Sequence, residues 1–134
     1  MKKRHVSFAD YSAHIKRILD RYRDIIVDLV LEVFEATPLE GFIRGSILFS
    51  DGSRLYFLEY VKIVATHVVK LKYRYHYEDA DGKLVFRYDN APHHREVESF
   101  PHHKHLANGS VRPSRGAIIG GCIRGGSIPD NARR

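Results

Sequence analysis

The sequence predicts an α+β domain: a long N-terminal amphipathic helix on an antiparallel meander sheet of about four strands, then a His/Pro-rich loop. Three observations carry this. Apolar residues recur at steps of three and four near the start, two Asp-Gly pairs punctuate alternating segments in the middle, and prolines with histidines break all periodicity after Asn90. Each element follows in chain order.

Residues 10 to about 35 read as one helix, because Tyr11, Ile15, Ile18, Tyr22, Ile25, Leu29 and Val33 fall on one face. Leu19, Ile26, Val30 and Phe34 widen the stripe. Asp10 is the expected N-cap, since a short side-chain acceptor satisfies a free backbone N–H. Pro38 ends the helix by disfavouring helical backbone in the residue before it.

Asp51-Gly52 and Asp81-Gly82 are residue pairs suited to two-residue hairpin turns with positive φ. A two-residue loop at 81–82 pairs Tyr77 with Phe86, Tyr75 with Tyr88, Glu78 with Val85, His76 with Arg87 and Arg74 with Asp89. Aromatics then share one face and charges the other, whereas a slip of one residue sets them against each other. In the first hairpin the same rule sets Ile47 opposite Tyr56, Leu48 opposite Leu55 and Arg44 opposite Glu59.

The domain is expected over residues 1–110, and residues 111–134 read as a Gly/Arg-rich tail without a packed element. The tail holds five arginines against one acid, which leaves the body with only +2 of the net charge of +6. Total charge is therefore no argument for nucleic acid, and a basic surface must come from clustering. No run of ~18 apolar residues suggests a membrane span. The basic start has no apolar stretch behind it, so a secretory signal is not expected and the cytoplasm is. A single cysteine, Cys122, excludes an internal disulfide framework and a cysteine zinc site.

Six of the nine histidines lie between 76 and 105, and histidine titrates near neutrality, so this stretch is where chemistry is expected. Candidate catalytic residues are His93, His94, His102, His103, His105 and Asp89; candidate RNA- or phosphate-binding residues are Arg74, His76, Arg87 and Lys104. One reading is a metal-independent nuclease, with His93 and His102 as proton-transfer groups, Asp89 orienting a histidine, and Arg87 and Arg74 meeting a phosphate. A second is a divalent-metal site at His103 and His105 with His93 or His94 and Asp89, although no cofactor is required. A third is structural, with neutral histidines bonded to loop backbone. Arg74 with Asp89 reads as a cross-strand pair, Lys70 and Lys72 as a solvated face, and Tyr73, Tyr75 and Tyr77 as core. His5, His14 and His67 are isolated in sequence, and Cys122 is not expected to be a nucleophile.

Four motifs carry a resemblance: Tyr73-Arg74-Tyr75-His76-Tyr77, Asp79-Ala80-Asp81-Gly82, Phe86-Arg87-Tyr88-Asp89-Asn90-Ala91-Pro92-His93-His94 and Phe100-Pro101-His102-His103-Lys104-His105. With Ser50-Asp51-Gly52-Ser53 and Glu59-Tyr60, they resemble the TumE-like toxin family over roughly residues 42–106. The resemblance implies the toxin of a type II toxin–antitoxin pair, a cognate antitoxin of DNA-binding helix-turn-helix type, and an effect on RNA or translation such as endoribonuclease activity. The alternative is a non-enzymatic nucleic-acid- or protein-binding module with a metal-stabilised His loop. The family continues past its His-His-Lys-His motif into an acidic amphipathic segment, while this chain runs into basic, glycine-rich sequence. A reading-frame shift near Arg112–Gly116 is one expectation for that departure.

Overall fold

The computed structural model describes residues 4–127, with side chains up to 124. Its elements are α1 (Phe8–Arg21), a 3-10 turn (Arg23–Ile25), β1 (Ile26–Thr37), β2 (Glu40–Phe49), β3 (Arg54–Val64), β4 (His67–Glu78), β5 (Leu84–Asp89), β6 (His103–Leu106), β7 (Val111–Pro113) and α2 (Ile119–Ser127). The strands form one antiparallel sheet in chain order, β1 to β7. Seven strands thus replace the expected four, and two short helices replace the long one.

The long helix is overturned at Arg21. Up to there the three-and-four spacing holds, and Tyr11, Ile15 and Leu19 are buried with Phe8 against the sheet. The N-cap is Ser7 rather than Asp10: the Asp10 N–H donates to Ser7 Oγ at 3.1 Å. Beyond Tyr22 the chain is rich in β-branched residues, which lose side-chain freedom in a helix and fit a pleated strand. Leu29, Leu31 and Val33 satisfy strand alternation as well as they fit a helical stripe. Pairing with β2 then decides, through an unbroken register from Asp28↔Leu48 to Glu35↔Gly41. Gly41 matters here, because a β-carbon at that position would sit 2.8 Å from the Phe8 ring that caps the core.

The hairpins keep their places but not all of their registers. In the second, Tyr77↔Phe86, Tyr75↔Tyr88, His76↔Arg87 and Arg74↔Asp89 pair as expected, whereas Glu78 faces Leu84 instead of Val85. The loop is longer than two residues: Asp79 N–H donates to the Lys83 carbonyl at 2.9 Å, and Asp79 Oδ1 accepts from the N–H groups of Asp81 and Lys83. That anchoring adds one residue, absorbed as a bulge between Tyr77 and Glu78. In the first hairpin the Phe49 N–H donates to the Ser53 carbonyl around a three-residue loop with Gly52 at φ 86°. Ile47 therefore faces Leu55, Leu48 faces Arg54 and Arg44 faces Leu58, one place off the expected register. The observed pairing stacks Ile47 on Leu55, both fully buried.

Two further expectations fail after Asn90. The His/Pro stretch is loop only to His102, since His103–Leu106 is β6. The tail is packed through residue 124: Val111–Pro113 pairs with β6, and Ile119, Cys122 and Ile123 of α2 close the core beneath Tyr73 and Tyr75. The remainder of the expected tail, residues 128–134, lies outside the described residues. As expected, Tyr73, Tyr75 and Tyr77 are core. No helix among the described residues is long and apolar enough to cross a membrane.

Candidate active site

Antiparallel partners share a face, so the observed registers place two rows on the sheet face away from the helices. One runs Arg74, Asp89, His103; the other runs His76, Arg87, His105. The loop from Asn90 to His102 folds over the first row. It is pinned by Asn90, whose side chain accepts from the Tyr73 N–H at 2.9 Å and donates to the Leu71 carbonyl. It brings His94, at a φ of 56°, onto His103 and His105. The three ring centroids lie 4.8 to 5.3 Å apart in edge-to-face contacts.

Asp89 organises this group. It is 3% exposed, and its carboxylate meets His103 Nε2 at 2.9 Å, Arg87 Nε at 3.1 Å, the Ala91 N–H at 3.0 Å and His105 Nε2 at 3.5 Å. His103, equally buried, also directs Nδ1 to the Pro101 carbonyl at 2.9 Å. A carbonyl only accepts, so Nδ1 carries a proton, and the other ring nitrogen is committed to Asp89. His103 is therefore a structural partner with neither nitrogen left over.

His105 is different. Asp89 engages its Nε2 and leaves Nδ1 for another group, and about a quarter of the side chain is exposed. Burial, ahead of every other influence, lowers its pKa below the ordinary histidine value; His103, His94 and Arg87 act the same way, and Asp89 opposes them. A neutral, carboxylate-oriented imidazole is what proton abstraction needs. His94 pairs through Nδ1 with Glu96 at 3.2 Å. Glu96 is exposed, and its pKa is lowered first by its own backbone N–H and then by His94. On the same face, His76 is bonded to Glu78 at 2.9 Å and lies against the Tyr56 ring.

The structure thus gathers Asp89, Arg87, His94, His103 and His105, with Arg74 and His76 beside them, and leaves three candidates elsewhere. His93 is exposed and outside the group. His102 points to the opposite face, where its Nδ1 is 2.7 Å from the Tyr73 hydroxyl and the rings stack. Lys104 lies over the Tyr88 and Phe86 rings, with Nζ 4.8 Å and 5.7 Å from their centroids, also away from the group. The Arg74–Asp89 pair exists as register, but the carboxylate bonds Arg87. Donor atoms of His94, His103 and His105 all lie within 4.8 Å of one another, so the trio suited to a cation includes His94 rather than His93.

A second polar group escaped the sequence reading. Glu59, 1% exposed, accepts hydrogen bonds from the Tyr11 and Tyr75 hydroxyls, and Lys70 Nζ lies 3.4 Å from it. Lys70 also donates to the Tyr75 hydroxyl at 2.5 Å and to the Ala117 carbonyl at 2.8 Å, so it is an internal brace instead of a solvated charge. Burial, reinforced by Glu59, raises the pKa of both tyrosines. This group floors a cavity of about 740 Å³ that His5, His14, His67 and Arg115 also line, which gives those scattered histidines a common place. The signal available was Glu59 as the one charge in the otherwise apolar and aromatic run from Leu55 to Val61. Cys122 is buried, and burial pushes its thiol up to about 12, against a nucleophilic role.

Comparison with curated proteins and with solved structures returns no match. A protein-family model described as Toxin TumE matches residues 15–118, a span that contains every strand and the whole histidine cluster. The family resemblance drawn from the motifs is thereby borne out, and the chain belongs to the TumE toxin family.

Proposed function

We propose that this toxin acts as a metal-independent endoribonuclease through the face that carries His94 and His105, in a toxin–antitoxin pair whose antitoxin is a DNA-binding helix-turn-helix protein. The observation that supports the reading best is the division of labour around Asp89. One carboxylate meets buried His103, anchors Arg87, and orients a partly exposed His105 whose pKa is lowered.

In this mechanism His105 takes the proton from a ribose 2′-OH, and the resulting oxygen attacks the adjacent phosphorus. His94, held by Glu96, gives a proton to the departing 5′-oxygen. The products are a 2′,3′-cyclic phosphate and a free 5′-hydroxyl. Arg87 and Arg74 offset the charge that builds on the phosphoryl oxygens. With the His94 and His105 ring centroids 5.3 Å apart, the phosphate in this mechanism lies over the pair on the solvent side instead of between the rings.

A divalent cation at His94, His103 and His105 is the competing reading, drawn from their 4.8 Å spacing. It requires His103 to give up either Pro101 or Asp89. Growth arrest on induction of the chain tests the assignment. His94→Ala and His105→Ala are expected to abolish arrest, and His93→Ala and His102→Ala to retain it. Arrest by both of the first two variants overturns it.

A further inference from the structure

Among the described residues β1 borders only β2, so its other edge is open over a strand of 12 residues. Soluble proteins normally guard such an edge with lysine, proline, a bulge or a covering segment. Here the guards are slight: bulges lie only at the two ends of the strand, and the run from Asp28 to Glu35 pairs with β2 without a break, has no lysine or proline, and carries three acids, Asp28, Glu32 and Glu35. It exposes apolar side chains on both faces: Leu29 and Val33 (38% and 36% exposed) on the helix side, Val30 and Phe34 (59% and 54%) on the other. α1 does not cover it; a groove of about 230 Å³ separates α1 from β1, floored by Leu19, Leu29 and Leu31.

We infer that a second copy of this chain pairs antiparallel with β1, joining two seven-stranded sheets edge to edge about a two-fold axis at Leu31. The sequence of the strand carries the choice of occupant. An axis perpendicular to the sheet keeps both α1 helices on one side and sets like faces together. With Leu31 opposite itself, Leu29 meets the partner's Val33 on the helix side. On the outer face Val30 meets the partner's Glu32, and Phe34 meets the partner's Asp28. No acid faces an acid. Moving the axis one residue to Val30 sets Asp28 against the partner's Glu32, and moving it to Glu32 sets that residue against itself, both unfavourable. The Leu31 register also extends the open apolar groove of each copy into that of the other. This inference is independent of the ribonuclease reading, since it uses none of the histidine cluster.

Cross-linking of the full-length chain reads the register directly. Leu31→Cys, brought opposite its own copy, is expected to form an intermolecular disulfide under mild oxidation. Phe34→Cys is not, because its copy lies about 20 Å away along the strand and a disulfide needs Cα atoms within about 7 Å. Buried Cys122 stays out of the exchange. Sedimentation is expected to give twice the 15.5 kDa chain mass for the unmodified protein. Val30→Glu, at an exposed position, sets an acid opposite the partner's Glu32 twice and is expected to give a single chain with unchanged circular dichroism. A monomeric unmodified protein, including one whose edge serves a different protein, overturns the inference. So does cross-linking through Phe34→Cys in place of Leu31→Cys.

Discussion

Asp89→Asn tests how the site is held together. The asparagine is nearly isosteric, and its oxygen at the Oδ1 position still accepts from the Ala91 N–H and meets His103 Nε2, but it cannot balance the Arg87 charge. Arg87 Nε, which meets the other carboxylate oxygen, Oδ2, at 3.1 Å, is then left facing an amide N–H₂ that cannot accept from it. Removing one partner of a buried ion pair costs about 3 to 5 kcal/mol. The lower end applies because Arg87 is about a third exposed and retains water, so the expected loss is about 3 kcal/mol. At about 4 °C per kcal/mol for a chain of this size, the melting temperature falls by about 12 °C. Urea titration followed by circular dichroism measures the loss, with the slope m unchanged if the denatured state is unaffected. The double variant with Arg87→Gln is expected to recover about 2 kcal/mol relative to additivity. A loss below about 1 kcal/mol for Asp89→Asn, or strict additivity, would refute the buried-pair reasoning.

Other consequences are independent of that pair. Because burial lowers the pKa of His105 from 6.5, the charged form is disfavoured in the folded chain, and the acid limb of RNA cleavage is expected below pH 6.5; a limb centred above pH 7 argues for another base. By the same sign, the stability linked to His105 is complete above 6.5 and is lost as pH falls from there toward its lowered folded value. Glu59→Gln leaves Lys70 without its counter-charge and weakens both tyrosine bonds, so unfolding should be easier by about 2 kcal/mol while cleavage is retained. Ile123→Ala, at a fully buried position of α2, should cost about 3 kcal/mol, and a cost near zero would mean that α2 does not close the core.

What the sequence disclosed depended on whether one physical signal outweighed the rest. The second hairpin was legible because a one-residue slip would set tyrosines against arginines, and even there the Asp79 side chain added a residue at the turn. The first hairpin was not, because both of its faces are apolar near the turn and either register buries hydrophobic surface. β1 was misread since Leu29 and Val33 fit both a helical and a strand period, and only the partner strand breaks the tie. The packing of α2 was hidden by its glycines, with Ile119, Cys122 and Ile123 too few to show a period.

For the site, residue types were readable and their sides of the sheet were not. His94 and His93 are neighbours, and a φ of 56° at His94 decides which of them reaches the cluster. The strand assignment of His103–Leu106 explains the rest: alternation sends His103 and His105 to Asp89 and Lys104 to Tyr88 on the other face. Reading that segment as loop removed the one rule that separates them. Glu59 was missed because its partners Tyr11 and Tyr75 are far away in sequence.

The most direct measurement is cleavage of a short RNA by the purified chain in excess EDTA, beside the same RNA carrying a 2′-O-methyl group at the cut position. The account predicts cleavage in EDTA with 2′,3′-cyclic phosphate ends, no cleavage of the methylated RNA, and loss of activity in His105→Ala. Activity that vanishes in EDTA and returns with a divalent ion, or cleavage of the methylated RNA, would contradict it.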